Sequence, residues 1–591
     1  MKIETRQCQN CKSEFVIEPE DFLFYEKIKV PPPTWCPQCR LQRRALWRNE
    51  RTLYKRNCDL CKTSIVAMYP VGSVFPVYCR PCWYSDNWEP LSYGRDYDFS
   101  KPFFIQFREL QDVVPRISLQ IDNCVNCDYT NQIIDCKDCY LIFGAGWNEE
   151  CYYSYRIVYS KKVADSFFSN RNEQCYEIIE SRDSALVYFS QNIADGMDLI
   201  FCYDMGGASH CFMSSNLRRG SYYFRNEPVT KEEYLRRLAE IDTGSYEKLE
   251  RYKKEFAELY AKSIHRYASL RNVINSTGHA LNNARNAYYC FNSSDMEDCR
   301  YVLFGGRAKD VMDVNTGDGL EFSYENSTSG VEAYGIKFSS DAWPQVHNLE
   351  YCDSCRSGVR DLFGCIALRE KQYCIFNRQY SQKKYQVLVS KIKEHMDTLP
   401  YADAKGRIYK YGEFFPVETA PFAYNESMAH DWFPLTESQV IAEGWRWREE
   451  ADRAAVIDIF PNDLPDHVKD TDESIVGKTI GCLHAGLSAG GCNQKCTLGF
   501  RIIPSEFEFY RSKNIALPRL CPNCRHYERM RRLTTYKLYE RQCVCDDVLY
   551  QNTSQHPHHK EVRCPNIFQS PYAPERPEIV YCEQCYQSEV V

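Results

Sequence analysis

Cys8-Gln9-Asn10-Cys11, Cys36-Pro37-Gln38-Cys39, Cys58-Asp59-Leu60-Cys61 and Cys79-Arg80-Pro81-Cys82 open the chain, and the intervals between these pairs are 24, 18 and 17 residues. The same three intervals return near the other end, between Cys496 and Cys521, Cys524 and Cys543, and Cys564 and Cys582, with Cys585 closing the series. The text between the cysteines agrees too. Phe22, Phe24 and Tyr25 answer to Phe507, Phe509 and Tyr510, and Leu53-Tyr54 to Leu538-Tyr539. One cysteine module is therefore used twice, and Cys-x-x-Cys pairs in such series read as metal knuckles.

Thiolate quartets of this kind hold zinc in a tetrahedron at roughly 2.3 Å, and the ion replaces the core that a short module cannot build. The expected zinc ligands are Cys8, Cys11, Cys36 and Cys39, then Cys58, Cys61, Cys79 and Cys82. In the second module they are Cys492, Cys496, Cys521 and Cys524, then Cys543, Cys564, Cys582 and Cys585. That module departs from the first in places. Its opening pair reads Cys492-x3-Cys496 with Cys482 and His484 nearby, and an insertion carrying Cys545, His556, His558 and His559 parts Cys543 from Cys564. The spacing favours sequential pairing into ribbons and leaves a cross-braced pairing open.

The chain has 591 residues, 32 cysteines and a net charge of −7. That charge is uneven: residues 1–90 sum to +4 and residues 482–591 to +3, leaving −14 for the middle. A uniformly basic nucleic-acid coat is excluded, whereas two basic modules are not. There is no run of 18 apolar residues and no signal-like start, so the expected location is cytoplasmic, where thiols stay reduced.

After the second knuckle, Arg40 to Asn57 contains Arg40, Arg43, Arg44, Arg48, Arg51, Lys55 and Arg56 against Glu50, with no glycine or proline. This reads as a basic amphipathic helix suited to phosphate contacts, or equally as a solvated face beside a metal. Its counterpart keeps Arg525, Arg529, Arg531 and Arg532, and Trp35, Trp47, Tyr54 and Tyr527 are candidates for base stacking.

The middle has a period of twelve. Cys127, Cys139, Cys151, Val163, Cys175, Val187, Leu199, Cys211 and Tyr223 form one apolar column, and Tyr140, Tyr152, Tyr176, Tyr188, Phe212 and Phe224 belong to the next. Three places ahead lie Cys124, Cys136, Asn148, Ser160, Asn172, Ser184 and Gly196, which suit turns. A β-solenoid follows, with the column cysteines as buried hydrophobes. Aromatic columns look too bulky for a twelve-residue coil, so the expected rung is about 24 residues. Cys124, Cys127, Cys136 and Cys139 fit either this core or a further zinc site. The segment Leu217 to Tyr234 recurs 151 residues later as Leu368 to Tyr385, each copy ending in a helix cap, Thr230 or Ser381.

The expected fold is thus multi-domain and mostly β: zinc-ribbon pairs at both ends flanking a tandem β-solenoid with inserted helices. The divisions read as 1–90, a double ribbon; 91–275 and 276–400, two solenoid units; 401–481, a connecting region; and 482–591, the second double ribbon. The leading expectation for function is non-catalytic binding of nucleic acid or a ribonucleoprotein through the basic ribbons. The alternatives are a protein-interaction scaffold working through the solenoid face, and a polysaccharide-processing enzyme using Asp295, Asp298, Asp310 and Asp313. Gly486-Leu-Ser488-Ala-Gly490 has the letters of a nucleophile elbow but lacks its strand–turn–helix setting.

Cys521-Pro-Asn-Cys524-Arg-His-Tyr-Glu-Arg529, Tyr572-Ala-Pro-Glu-Arg-Pro577 and Phe422-Ala-Tyr-Asn-Glu426 resemble segments of a bacterial family rich in zinc ribbons. The resemblance is densest in the C-terminal third. It implies zinc binding and implies no activity.

Overall fold

The computed structural model describes residues 3–449, 455–485, 495–546, 552, 554, 556–559 and 563–591. The chain divides into two compact units, and each takes its parts from both ends of the sequence. One unit joins Met1–Leu119 to Ala268–Glu449 and Thr535–Leu538; the other joins Gln120–Tyr267 to Glu450–Thr534 and Tyr539–Val591. The N-terminal ribbons therefore share a unit with the second solenoid, and the C-terminal ribbons with the first.

Each solenoid is a stack of parallel coils. In the first, Lys137 lies opposite Val125, Cys139 opposite Cys127, Phe143 opposite Asn131 and Ser221 opposite Ser209. Partners are twelve residues apart throughout, so the coil is twelve residues and not the expected 24. The backbone achieves this with a left-handed residue at every third position, as at Asn123, Asn126, Tyr129, Gln132, Asp135 and Asp138. Each such corner costs an L-residue roughly 1–2 kcal/mol, least for Asn and Asp. Bonds between coils offset that cost, among them Lys137 N–H to Asn148 C=O at 2.9 Å and Leu141 N–H to Asp128 C=O at 3.1 Å.

So tight a coil is filled by cysteine and aliphatic side chains. Cys139, Cys151, Val163, Cys175, Val187, Leu199 and Cys211 fill it, as the twelve-residue column requires. The column expected to form turns lies inside as well. Asn148 and Asn172 are buried and cap the next coil, accepting from Ser160 N–H at 2.9 Å and Ser184 N–H at 3.1 Å. The aromatic column points outward, which removes the reason for a longer rung. Phe212 packs edge-on against Tyr252 of the helix Tyr246–Lys262, and Tyr176 against Tyr510 of the C-terminal ribbon module.

The second solenoid is less regular, with partner offsets of 11 at Leu270–Leu281, 12 at Gly278–Cys290 and 13 at Ala333–Val346. Both solenoids end alike. An antiparallel turn pairs Tyr223 with Pro228 in one and Cys374 with Gln379 in the other, 151 residues on. The capped helices Lys231–Leu238 and Gln382–Thr398 follow, with Thr230 accepting from Glu233 N–H and Ser381 from Lys384 N–H.

In the ribbons, short antiparallel strands precede helices that begin at a cysteine. Cys36 stands at the N-cap position of Pro37–Ala45, and Cys521 at that of Pro522–Arg531. Proline at the first helical position costs nothing there, since its missing N–H would have no intrahelical partner. The basic helix expected from Arg40 to Asn57 stops at Ala45, and Lys55 and Arg56 lie on the strand Tyr54–Asn57. No helix among the described residues is long and apolar enough to cross a membrane.

Cys151, Cys175 and Cys211 will resist thiol reagents until the chain unfolds, which timed labelling with and without denaturant will show. Leu199→Ala, made in the same packed column, will cost about 2–5 kcal/mol in equilibrium unfolding.

Candidate metal centres

Four thiolate quartets come together: Cys8, Cys11, Cys36 and Cys39; Cys58, Cys61, Cys79 and Cys82; Cys482, Cys496, Cys521 and Cys524; and Cys543, Cys564, Cys582 and Cys585. Pairing is sequential, so each ribbon is complete in itself. The third quartet uses Cys482. The expected ligand Cys492 lies outside the described residues, as does the Gly486–Gly490 segment. Ile480–Gly481 pairs with Gly499–Phe500 just as Glu4–Gln7 pairs with Glu14–Ile17, which puts Cys482 where Cys8 stands. The signal was available in the sequence: an insertion also parts Cys543 from Cys564, so a second split knuckle in the same module was a fair inference.

The four sites share one construction. The thiolate of the first cysteine accepts the N–H of the third, at 3.2 Å in every case: Cys36 to Cys8, Cys79 to Cys58, Cys521 to Cys482 and Cys582 to Cys543. Sulfur–sulfur distances run from 3.7 Å at Cys543–Cys585 and Cys61–Cys79 to 3.9 Å at Cys496–Cys521. A tetrahedron with metal–sulfur bonds of roughly 2.3 Å has edges of roughly 3.8 Å, whereas a disulfide is roughly 2.05 Å. No disulfide joins the described cysteines. Without a cation the thiols frustrate one another. Hydrogen bonding from Cys36 and Cys39 drives the Cys8 thiol far below its ordinary range, while Cys39, beside Cys36 and Cys8, is driven far above it. A dication lets all four ionise together.

The arginines that followed the knuckles lie mostly in the interior. Arg40, Arg43, Arg44 and Arg48 are buried, and so are Trp35 and Trp47. Arg40 donates to Asp313 at 2.8 Å; Arg43 reaches Glu325 at 2.8 Å and Glu413 at 3.0 Å; Arg44 lies 3.2 Å from Asp313. Three guanidiniums thus meet three carboxylates, and Arg48 pairs with Glu50 beside them. Burial pushes the Glu325 carboxyl up against the pull of Arg43 and Arg44. Burial alone would lower Arg43, but Glu325 and Glu413 outweigh it and hold the guanidinium above its ordinary range.

The other module repeats the arrangement. Arg525 pairs with Asp165, Arg529 reaches the same carboxylate at 2.7 Å, and Glu506 accepts from Tyr153 at 2.6 Å and Tyr510 at 2.8 Å. Arg532 is half-buried, with Gln191 accepting from it at 3.2 Å, Arg51 is half-buried, and Arg531 is exposed. Sequence reasoning did not identify Asp165, Asp313, Glu325 and Glu413 as the partners, because nothing local marks them.

Cys124, Cys127, Cys136 and Cys139 stack in pairs on the first coils, with Cys136 N–H donating to the Cys124 thiol at 3.4 Å. The four aspartates considered for carbohydrate chemistry are divided. Asp295 and Asp298 accept from Asn283 and Asn286 in an outer ladder, Asp310 pairs with Lys27, and Asp313 belongs to the buried network. A search of protein-family models and of curated proteins finds no match to this chain.

Asp313→Asn leaves Arg40 and Arg44 short of charge in the interior and will cost about 3–5 kcal/mol in denaturant unfolding. Cys11 and Cys61 are exposed, whereas every thiol of the last quartet is buried. Timed metal transfer to a chromophoric chelator will therefore resolve fast equivalents from the first two quartets, all of them missing from the Cys11→Ser/Cys61→Ser chain; a fast phase that persists in that double variant would contradict this order.

Proposed function

We propose that the chain is a zinc-stapled, non-catalytic scaffold whose solenoid face receives a protein partner. Zinc suits four all-thiolate tetrahedra, being indifferent to d-electron geometry and inert to redox change. The observation that carries the scaffold reading is the placement of the ribbon arginines. Groups that would track phosphate are instead spent on carboxylates of the same unit, so the ribbon helices act as internal fasteners. A nucleic-acid reading would need other cations, such as those at Arg51 and Arg531.

The outer face of the first solenoid supplies a candidate contact. Trp147 and Tyr159 stack on successive coils with ring centroids 4.9 Å apart, and they are 43% and 53% exposed. Around them run the ion ladder Lys137–Glu149–Lys161 and the Arg171–Asp183 pair. Exposed aromatics set in a charged rim are what binding hot spots are made of.

Elemental analysis of the full chain will give about four zinc ions or more, and a ratio of one or less would refute the stapling. A partner recovered with the wild-type chain after nuclease treatment will be lost, about tenfold or more, from the Trp147→Ala/Tyr159→Ala chain, with metal content unchanged. Tight, steeply salt-dependent binding of RNA or single-stranded DNA by the full chain, with no such partner, would favour the nucleic-acid reading instead.

A further inference from the structure

The insertion that parts Cys543 from Cys564 has no counterpart between Cys58 and Cys61, yet it does not disturb the quartet it interrupts. It brings its own ligands. Cys545, His556, His559 and Cys585 present one sulfur or nitrogen atom each, all within 4.8 Å of one another. Cys545 Sγ lies 3.2 Å from His556 Nδ1 and 3.8 Å from His559 Nε2; the two nitrogens are 3.2 Å apart; and His559 Nε2 is 3.8 Å from Cys585 Sγ. A tetrahedral S2N2 site has edges of roughly 3.3–3.8 Å. Cys585 belongs to both sets.

We propose that the last ribbon holds two zinc-class dications bridged by the Cys585 thiolate: one in the quartet, the other on Cys545, His556 and His559. Three further observations support the second site. His556 turns its other nitrogen to Glu589 at 2.9 Å, with both side chains nearly fully buried, which is how a carboxylate fixes the tautomer and orientation of a metal-bound imidazole. Asn552 donates to Cys545 Sγ at 3.1 Å, and His558 Nε2 lies 3.1 Å from Cys585 Sγ, so both sulfurs have hydrogen-bond partners suited to the thiolate form. Charge favours it as well. Four thiolates around one dication leave a formal charge of minus two in a buried site; five around two dications leave minus one.

The inference rests on the quartets being metal sites, and the experiment separates the two. Metal content and cobalt(II) spectra are measured on the full chain and on Cys545→Ser and His556→Gln/His559→Gln. Each variant will lose one equivalent and the cobalt bands of a mixed sulfur–nitrogen site, while keeping the thiolate charge-transfer bands of the quartets. A chain that carries no metal at all would refute the quartet reading. A metal-loaded chain whose content and spectrum are the same in the variants would overturn the bridged pair alone.

Discussion

Everything in the larger arrangement depends on arginines that have been taken out of water. On the N-terminal ribbon helix, Arg40, Arg43 and Arg44 face Asp313 and Glu325 of a solenoid strand and Glu413 beyond it. Buried charges are expensive, and such a cluster is tolerated because its signs balance and its partners lie at hydrogen-bonding distance. The net contribution to stability is small, since a well-packed apolar cluster would serve as well. What the charges add is selectivity. An arginine fork fits a carboxylate at one distance and angle, so the helix can seat on the solenoid in one register.

The first turn of the helix is anchored at a cysteine quartet, which a bound metal would hold rigid. Cys36 and Cys521 belong to quartets and stand at the N-cap positions of their helices, so the quartet also sets where the arginine side chains begin. The solenoid supplies the other half. Its left-handed corners make a narrow coil filled by cysteine and aliphatic side chains, with buried serine and asparagine among them, and turn the stacked tyrosines and phenylalanines to the outside. Those aromatic columns then need cover, which the helix Tyr246–Lys262 and the ribbon module provide. Narrow coil, outward aromatics and docked ribbon are consequences of one another.

The two modules differ within their knuckles. In the second module both quartets come together across an interrupted knuckle, between Cys482 and Cys496 and between Cys543 and Cys564, because a tetrahedral site needs its sulfurs close in space and not in sequence. The cysteine-to-helix geometry after the knuckle is kept, because the arginines depend on it. An insertion at a metal site is also the cheapest place to add ligands, since the neighbouring sulfur is already ionised and positioned.

The amino-acid sequence by itself determined three of the four cysteine quartets and three sulfurs of the other, the twelve-residue stacking of Cys151, Cys175 and Leu199, the 151-residue repeat, and the caps at Thr230 and Ser381. All of these are written in spacings along the chain, and spacing is what local geometry reads. A period does not say which way a tyrosine points, so it leaves the length of the rung open, and buried and exposed asparagine look alike in a string, so the column at Asn148 and Asn172 reads as turns. Only the tertiary structure decided that the N-terminal ribbons join the second solenoid, and that Arg43 faces inward. Its partners Glu325 and Glu413 stand 282 and 370 residues away. Whether a guanidinium meets water, phosphate or a buried carboxylate depends on what the rest of the chain places in front of it, and no local pattern carries that information.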